Sequence, residues 1–449
     1  LSATTNVTHA YWLLATFIFI LLIAKINGKL KLLYLLIFIL IFYIHFSILE
    51  IKNNLILQLD ENETTLELLV LRDLELRKFN SETIATSSKF PNINILVKTS
   101  KYATFSYGDK LNATCNLSPY SSSAFNALYL ISTNTYIICE LIRYDILSSS
   151  QSLFKEINKS IKEHLLKTFE VDPAGIFIGV TVGDKSYIDN EMNQIYRDSG
   201  IYHIFSVSGF HFALFSSMVF LILKPINHRV RIIFTLLIGF IFWGVVGFEN
   251  IPASRAYLVL LILGIGNILG YKINSIHATS IVLISSVLAL PEIILNVSFI
   301  LTFSLTYSIL IFYSKVNFLL NEIQVVKFVK KYIALQTSIT IPLIPLSLIF
   351  FEGYPLSSLI NNIFANLYII IIYPSLYIVS FINLINNQIG SLLTNSIQQF
   401  TYIFIEIISH ITLIMRQYTN VYTSIFVYLL MILFIYYASI IHFKKKYKS

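Results

Sequence analysis

Residues 183–220 read GDKSYIDNEMNQIYRDSGIYHIFSVSGFHFALFSSMVF. The first half of this stretch is charged and spaced like a helix; the second half is apolar enough to enter a bilayer. At the join, HIFSVSGFH sets His203, Ser206, Ser208, Gly209 and His211 within nine residues. Two imidazoles, two hydroxyls and a glycine at a membrane entrance make this the first place to look for function.

Everything C-terminal to the join reads as membrane. Nine apolar segments follow, at 201–223, 232–248, 253–270, 277–290, 294–314, 332–351, 358–383, 393–415 and 422–442. The fourth is short, because a span needs about 20 residues, and it reads as re-entrant or a half-helix. Composition agrees: 56% of the 449 residues are hydrophobic, 12% are charged and mean hydropathy is +0.72. Soluble proteins carry about 25% charged residues. The fold class is therefore a polytopic α-helical membrane protein with a soluble insert. The net charge of +8 is no nucleic-acid signature by itself, because membrane proteins collect Lys and Arg in their cytoplasmic loops.

N-terminal to the join, residues 151–200 read as a helical connector. Leu153, Ile157, Ile161, Leu165 and Leu166 recur at helical spacing among Lys and Glu, which suits a helix lying on the membrane or against a soluble domain. Ser186 and Asp189 resemble a capping box, and Ile188, Met192 and Ile195 give a second short helix its apolar face. Residues 50–150 show soluble-type alternation. Candidate strands at 55–59, 66–71, 93–98 and 136–142 are separated by the turn signals Asp60-Glu-Asn, Tyr107-Gly-Asp and Ser118-Pro-Tyr. About five short strands in this length predict a small β-barrel, with the OB-fold one option.

Residues 1–49 read as a transmembrane hairpin, with apolar runs at 10–24 and 32–49 around a turn bearing Lys25, Lys29 and Lys31. The first run is short enough for a signal peptide but lacks a basic n-region, and the chain starts without Met. Threading all segments alternately puts fifteen cations in the inner loops: Lys25, Lys29 and Lys31; Lys224, Arg229 and Arg231; Lys272; Lys315, Lys327, Lys330 and Lys331; and Lys444, Lys445, Lys446 and Lys448. The short outer turns hold only Arg416. This asymmetry predicts an extracytoplasmic β domain and a cytoplasmic C-terminus. Both cysteines, Cys115 and Cys139, fall in the β domain. Two isolated buried thiols are one reading; the outward topology favours a disulfide, which would stabilise the domain by roughly 3 kcal/mol.

Ionisable groups inside spans are functional candidates because each costs about 2.5–3.5 kcal/mol at a helix centre. Arg255 either snorkels outward or faces a water-filled path, where a fixed cation attracts phosphate. Glu406 and His410, at i and i+4, share a helix face; a hydrogen-bonded structural pair outweighs a proton relay. An unbroken helix would put His203, Ser208 and His211 within an arc of about 140°, unless Gly209 breaks it where the backbone lines a cavity. That polar face suits a conduit, and close helix packing through small residues explains it equally well. In the β domain, Lys98, Lys101, Tyr102, Phe105, Tyr107 and Lys110 interleave cations with aromatic rings, as single-strand stacking requires. The nine Lys and Arg against eleven Asp and Glu of residues 50–150 argue against a strong electrostatic grip, so ordinary strand residues are the commoner meaning. No HExxH, CxxC, GxSxG or Walker A pattern occurs; the chain is expected to be no enzyme, with no metal and no cofactor.

The run 183–215 closely resembles the entry motif of the ComEC competence-channel family, the DNA-uptake proteins of bacterial inner membranes. Three further blocks follow in the family's order: GFENIPASRAYLVLLI (247–262), ALPEIILNVSFILTFSLTYSIL (289–310) and SITIPLIPLSLIFFEGYPLSSLINNIFANL (338–367). The likeness spans about 153–385. It implies an N-terminal hairpin, an extracytoplasmic OB-like domain that is often disulfide-bonded, and a multi-helix competence domain, here 201–449. It also implies a channel passing one strand of DNA inward during natural transformation. By motif, His203, Ser208, Gly209 and His211 would lie at the conduit with Arg255 nearby. Implied partners are single-stranded DNA, the lipid bilayer, a DNA receptor and a helicase or other motor. Many members carry a C-terminal metallo-β-lactamase-like domain; this chain ends at KKKYKS without an HxHxDH pattern, so a short form working beside a separate nuclease is expected. Phe210 and Phe212 stand where the family favours smaller aliphatics. The alternative is a transporter or export component for another substrate on the same scaffold.

Overall fold

A computed structural model describes residues 63–149 (except 72–73, 77–79, 91–92, 101, 106 and 120–132), 152–320 (except 249), 327–351, 354–416, 423 and 425–430. The expected hairpin of 1–49, the strand at 55–59, Lys101, the basic C-terminal run and most of the ninth apolar segment lie outside these residues. The chain divides into two compact units: residues 1–152 with 283–300, and residues 153–282 with 301–449.

Among the described residues the first unit is built on six strands: β1 (Glu63–Val70), β2 (Glu75–Leu76), β3 (Ser81–Ser87), β4 (Asn94–Thr99), β5 (Lys110–Pro119) and β6 (Thr135–Ser148). Strand alternation makes its core. Leu66, Leu68 and Val70 of β1 and Leu111, Ala113, Cys115 and Leu117 of β5 point inward, with polar residues between them, the period of two that a half-buried strand requires. The hydrogen-bonded order is β1-β5-β6-β4-β3-β2, with β4–β6 parallel and the other pairs antiparallel. β1 also meets β3 over three residue pairs, Leu68 with Ser87, Leu69 with Thr86 and Val70 with Ala85. The expected barrel is thus a curled sheet whose ends touch over a short seam, not a barrel laddered along its whole length. Gly108, with φ 81°, makes the turn at Tyr107-Gly-Asp, where Gly108 N–H donates to Val70 O and Val70 N–H to Asp109 O. β3 and β5 add to the strands foreseen; β3 buries Ser81, Thr83 and Ser87 alongside Ile84 and Ala85, so it lacks an apolar alternation. The 3-10 turn Pro291–Leu295 adds Leu295 to this core.

Cys115 on β5 and Cys139 on β6 form the expected disulfide, with Cα atoms 5.1 Å apart. Register explains it: Cys115 faces Leu141 and Cys139 faces Leu117, so the two are diagonal neighbours on the buried face.

The second unit is helical. Its elements are α1 (Leu153–Thr168), α2 (Val171–Val182), α3 (Asn190–Asp198), α4 (Gly209–Ile222), α5 (His228–Val246), α6 (Ile251–Ile268), α7 (Ser275–Ala289), α8 (Val297–Leu319), α9 (Lys327–Phe350), α10 (Ser358–Ile385) and α11 (Asn387–Arg416), with α7 and α8 shared across the unit boundary. Six of these, α5, α6, α8, α9, α10 and α11, are long and apolar enough to cross a membrane. This is a multi-pass membrane protein. α4 and α7 are shorter apolar helices, α7 being the short fourth segment foreseen.

α2 was not foreseen as a separate element. Residues Pro173 to Val182 are all buried, and its GIFIGVTVG sequence spaces Gly175, Gly179 and Gly183 four apart, the pattern that lets backbones approach. A Cβ on Gly175 would lie 2.3 Å from Tyr187 O, and one on Gly179 would lie 3.2 Å from the Phe205 Cβ. Gly183 closes the helix at φ 84°, where glycine escapes the Cβ penalty. α1 packs through Phe154, Ile157, Ile161 and Leu165 on the core that α2 centres, so its apolar face covers helices of its own unit. Asn158 Nδ2 donates to Val245 O at 2.7 Å, satisfying a carbonyl at the C-terminal end of α5. The expected Ser186–Asp189 capping box resolves differently. Asp189 is the N-cap of α3, accepting from Glu191 N at 2.9 Å, and Ser186 instead donates to Asp184 at 2.7 Å.

Candidate functional site

The helix entering the apolar layer starts at Gly209, eight residues later than periodicity placed it. Residues Tyr202–Phe205 form a 3-10 turn, Ser206 and Ser208 are extended, and Ser208 caps α4. Phe210 N donates to Ser208 Oγ at 3.2 Å. Ser208 N donates to His211 Nδ1 at 3.2 Å, and the Ser208 hydroxyl lies 2.9 Å from the same nitrogen. A nitrogen that accepts a backbone N–H carries no proton, so the neutral ring holds its proton on Nε2. That Nε2 is buried without a partner, and the ring lies edge-on to Tyr373 at 5.8 Å. With 1% of its surface exposed, His211 caps a helix inside the core.

His203 goes the other way. It is exposed, its Nδ1 lies 3.2 Å from Gly200 O, and Ser206 Oγ donates to His203 O at 2.8 Å. The protein around His203 nevertheless desolvates its ring. That desolvation, and after it the charge of Lys185, hold the imidazole below its ordinary value against the pull of the Gly200 carbonyl. The two histidines therefore do not share one helical face; the break falls across residues 206–208, before Gly209. Phe212 is core, 5.3 Å from Phe242 and 5.9 Å from Tyr257, whereas Phe210 is exposed.

Arg255, five residues into α6, reaches back to the start of α4. Its Nη2 would lie 2.8 Å from a Cβ on Gly209, so the guanidinium occupies space only a glycine leaves. Nε donates to Thr302 Oγ1 at 2.9 Å and Nη1 to Thr306 Oγ1 at 2.7 Å, both on α8 and one turn apart. Thr306 in turn donates to Thr302 O. Among the described residues Arg255 has no carboxylate partner. A fixed cation, held by neutral hydroxyls beside the positive end of a helix dipole, favours an anion. Thr302 and Thr306 escaped the sequence reading, although their i, i+4 spacing in ILTFSLT was the available signal.

The remaining candidates separate by burial. Lys98 is half-exposed on β4, while Tyr102 (91% exposed), Tyr107 and Lys110 lie at the surface. Phe105 is 2% exposed and packs edge-on against Tyr144 at 5.0 Å; it belongs to the core and leaves the stacking set. Glu406 and His410 are both exposed and 3.9 Å apart, a loose i, i+4 pair on the outer face of α11. No three His, Cys, Asp or Glu side chains among the described residues converge as a metal site requires.

Compared with known proteins, residues 180–444, more than half of the chain, match the family model described as Competence protein. No curated protein and no solved structure matches.

Proposed function

The chain belongs to the Competence protein family, and on that premise we propose that it is the membrane channel through which a single strand of DNA enters the cytoplasm during natural transformation. A general role in competence comes with membership. The observation that carries the finer reading is Arg255, a cation without a carboxylate partner among the described residues, set over Gly209 at the head of α4 by two threonine hydroxyls. A polyanion crossing an apolar layer needs fixed cations whose charge is not already neutralised, since an ion paired internally offers a phosphate little.

In this reading the sheet unit faces outward and the C-terminus is cytoplasmic, following the loop charges, and the location is a bacterial inner membrane. One parallel pair among antiparallel strands, in a ring with a short seam, supports an OB-like description, since OB-folds are partly open five-stranded barrels. Lys98, Tyr102, Tyr107 and Lys110 would guide DNA there. The domains are a hairpin at 1–49, the β domain at 50–150, connector helices at 151–200 and the channel domain at 201–449. The protein acts as a conduit and not as an enzyme, needs no cofactor, and depends on a DNA receptor and a motor. Arg255→Gln tests the reading: internalised DNA falls at least tenfold while DNA bound at the cell surface stays constant. Unchanged internalisation would remove its main support. A second reading, transport of a different substrate on this scaffold, draws only on the near-neutral charge of residues 50–150. Single-strand binding to the full-length protein that weakens with salt would exclude it.

A further inference from the structure

In the sheet unit, β6 runs past one of its two neighbours. Its parallel partner β4 ends its pairing at Lys98 with Glu140, whereas β5 stays paired to the far end, Lys110 with Ser148. From Leu141 to Ser148 one edge of β6 is bonded to β5, and the other has no strand partner among the described residues. Burial follows the pairing. Thr135–Cys139 are buried, whereas Ile142, Ile146 and Leu147 are 52%, 46% and 55% exposed and Arg143 and Asp145 are exposed. An open edge offers unpaired N–H and C=O groups to any strand that meets it, and natural edges are blunted with lysine, proline or inward charge. This edge instead carries three apolar side chains and one charge of each sign.

The edge is its own complement. Residues 141–147 read LIRYDIL, a chemical palindrome about Tyr144. Laid antiparallel on a second copy with Tyr144 at the two-fold axis, Arg143 faces the partner's Asp145, Ile142 faces the partner's Ile146 and Leu141 faces the partner's Leu147. Residues directly opposite in an antiparallel pair share a face and touch, so symmetry sets two opposite-charge pairs beside the axis. Sliding by one residue puts each charge against an apolar or aromatic side chain, and sliding by two puts Arg143 on Arg143 or Asp145 on Asp145. The backbone is ready for such a ladder. Arg143, Tyr144, Asp145 and Ile146 pair in unbroken register with Thr114, Ala113, Asn112 and Leu111, and the register shifts fall outside them, at Ile142 and Leu147. Tyr144 is fixed to the core: its hydroxyl accepts from Thr104 N at 3.2 Å and its ring lies 5.0 Å from Phe105. Arg143 and Asp145 form no ion pair among the described residues.

We propose that the free edge of β6 is a self-association surface, at which two copies of this chain join antiparallel about a two-fold axis and run their sheets into one. A contact of this kind uses the same patch on both copies, consumes both edges and stops at two; the bulges at Ile142 and Leu147 bound the regular run on either side. The ladder is short, so the association is reversible. The inference concerns the sheet unit and is independent of the channel reading.

The test uses the full-length protein in liposomes, with energy transfer between donor- and acceptor-labelled copies followed over a series of protein-to-lipid ratios. Arg143→Asp sets two like-charge pairs at the axis and should weaken association roughly fivefold or more, a loss that shrinks in high salt. Adding Asp145→Arg to the same chain exchanges the two charges and keeps the palindrome, so association should return to within about twofold of the wild type. Both side chains are exposed, and the exchanged variant controls for folding. Register is read by mixing an Arg143→Cys chain with an Asp145→Cys chain. The native cysteines are bonded to each other, and the new thiols should cross-link unlike chains far more than like ones, because like residues lie a diagonal apart and beyond disulfide reach. Wild-type protein that shows no transfer beyond random crowding at any ratio overturns the proposal. So does transfer unchanged in Arg143→Asp, which would move the contact elsewhere on the chain, or transfer that the charge exchange does not restore. Equal cross-linking of like and unlike chains overturns the register and the palindrome with it.

Discussion

Gly209 matters for what it lacks. A methyl group there would approach Arg255 Nη2 to 2.8 Å, and the flexible end of the arginine would yield before the backbone did. Gly209→Ala should therefore fold, with a stability change of under about 1 kcal/mol, yet move the cation off the head of α4; thermal unfolding in detergent with an uptake assay reads both. Arg255→Lys should not rescue uptake, because an ammonium cannot hold the two threonines in the fixed fork of a guanidinium. Gly200 poses the opposite case. Its φ is 75°, and a Cβ would lie 2.5 Å from the Ser358 Cβ, so strain and overlap both oppose a side chain. Asp184 sets a pH dependence outside the spans. Burial raises its carboxyl, but the charge and hydrogen bond of Lys162, with two hydrogen bonds from Ser186, outweigh that and hold it below the ordinary value of 3.8. A carboxyl that titrates lower when folded contributes stability that is complete above its unfolded value and is lost as pH falls through its folded one. Unfolding scans below pH 4 should show this loss in the wild type and not in Asp184→Asn.

Prolines inside a membrane helix leave carbonyls to be satisfied by neighbours. Pro342 in α9 cannot donate to Ser338 O, four residues back, and Ser308 of α8 donates to that carbonyl instead. In an apolar layer the freed group has no water to turn to, so Ser308→Ala should cost about 1–3 kcal/mol, read as a lower melting temperature, while Ser308→Thr keeps the donor. A polar ladder of the same kind joins α10 to α11. Asn361 Nδ2 donates to Thr412 at 3.2 Å, Tyr368 pairs with Thr401 at 3.1 Å and Asn383 Nδ2 donates to Thr394 at 3.4 Å, and each threonine also bonds its own helix. At this scale the sequence was legible where apolar length alone decides: α5, α6, α8, α9, α10 and α11 lie where the apolar runs put them. It was less legible where burial replaces periodicity. α2 is buried all round and shows no amphipathic face, although its glycines at 175, 179 and 183 marked a close approach; β3 turns serine and threonine inward and so hides its alternation. The start of α4 was misplaced because residues 201–208 are apolar enough to extend the span, while the capping pair Ser208 and His211 was readable only as chemistry.

Across the whole molecule, the two units draw on different sources of stability. The sheet unit closes its core with the Cys115–Cys139 bond, which joins residues 24 apart. Replacing both cysteines by serine should cost about 3 kcal/mol, and reductant should destabilise the wild type and leave the double variant unchanged. The helical unit relies on packing around α2 and on polar contacts between helices. Its candidate site was half legible: four ordered blocks pointed to the region, and Arg255 and Gly209 do meet there, but His203 and His211 part company because one follows the 3-10 turn outward and the other caps a helix in the core. The central claim is that a single strand passes through this protein. Its most direct measurement is the amount of protease- and nuclease-protected single-stranded DNA inside transformable cells in which this chain is the sole competence channel, with and without its gene, at equal surface-bound DNA. The account predicts that deletion abolishes the internal strand and leaves the surface DNA in place; an internal strand undiminished by the deletion would contradict it.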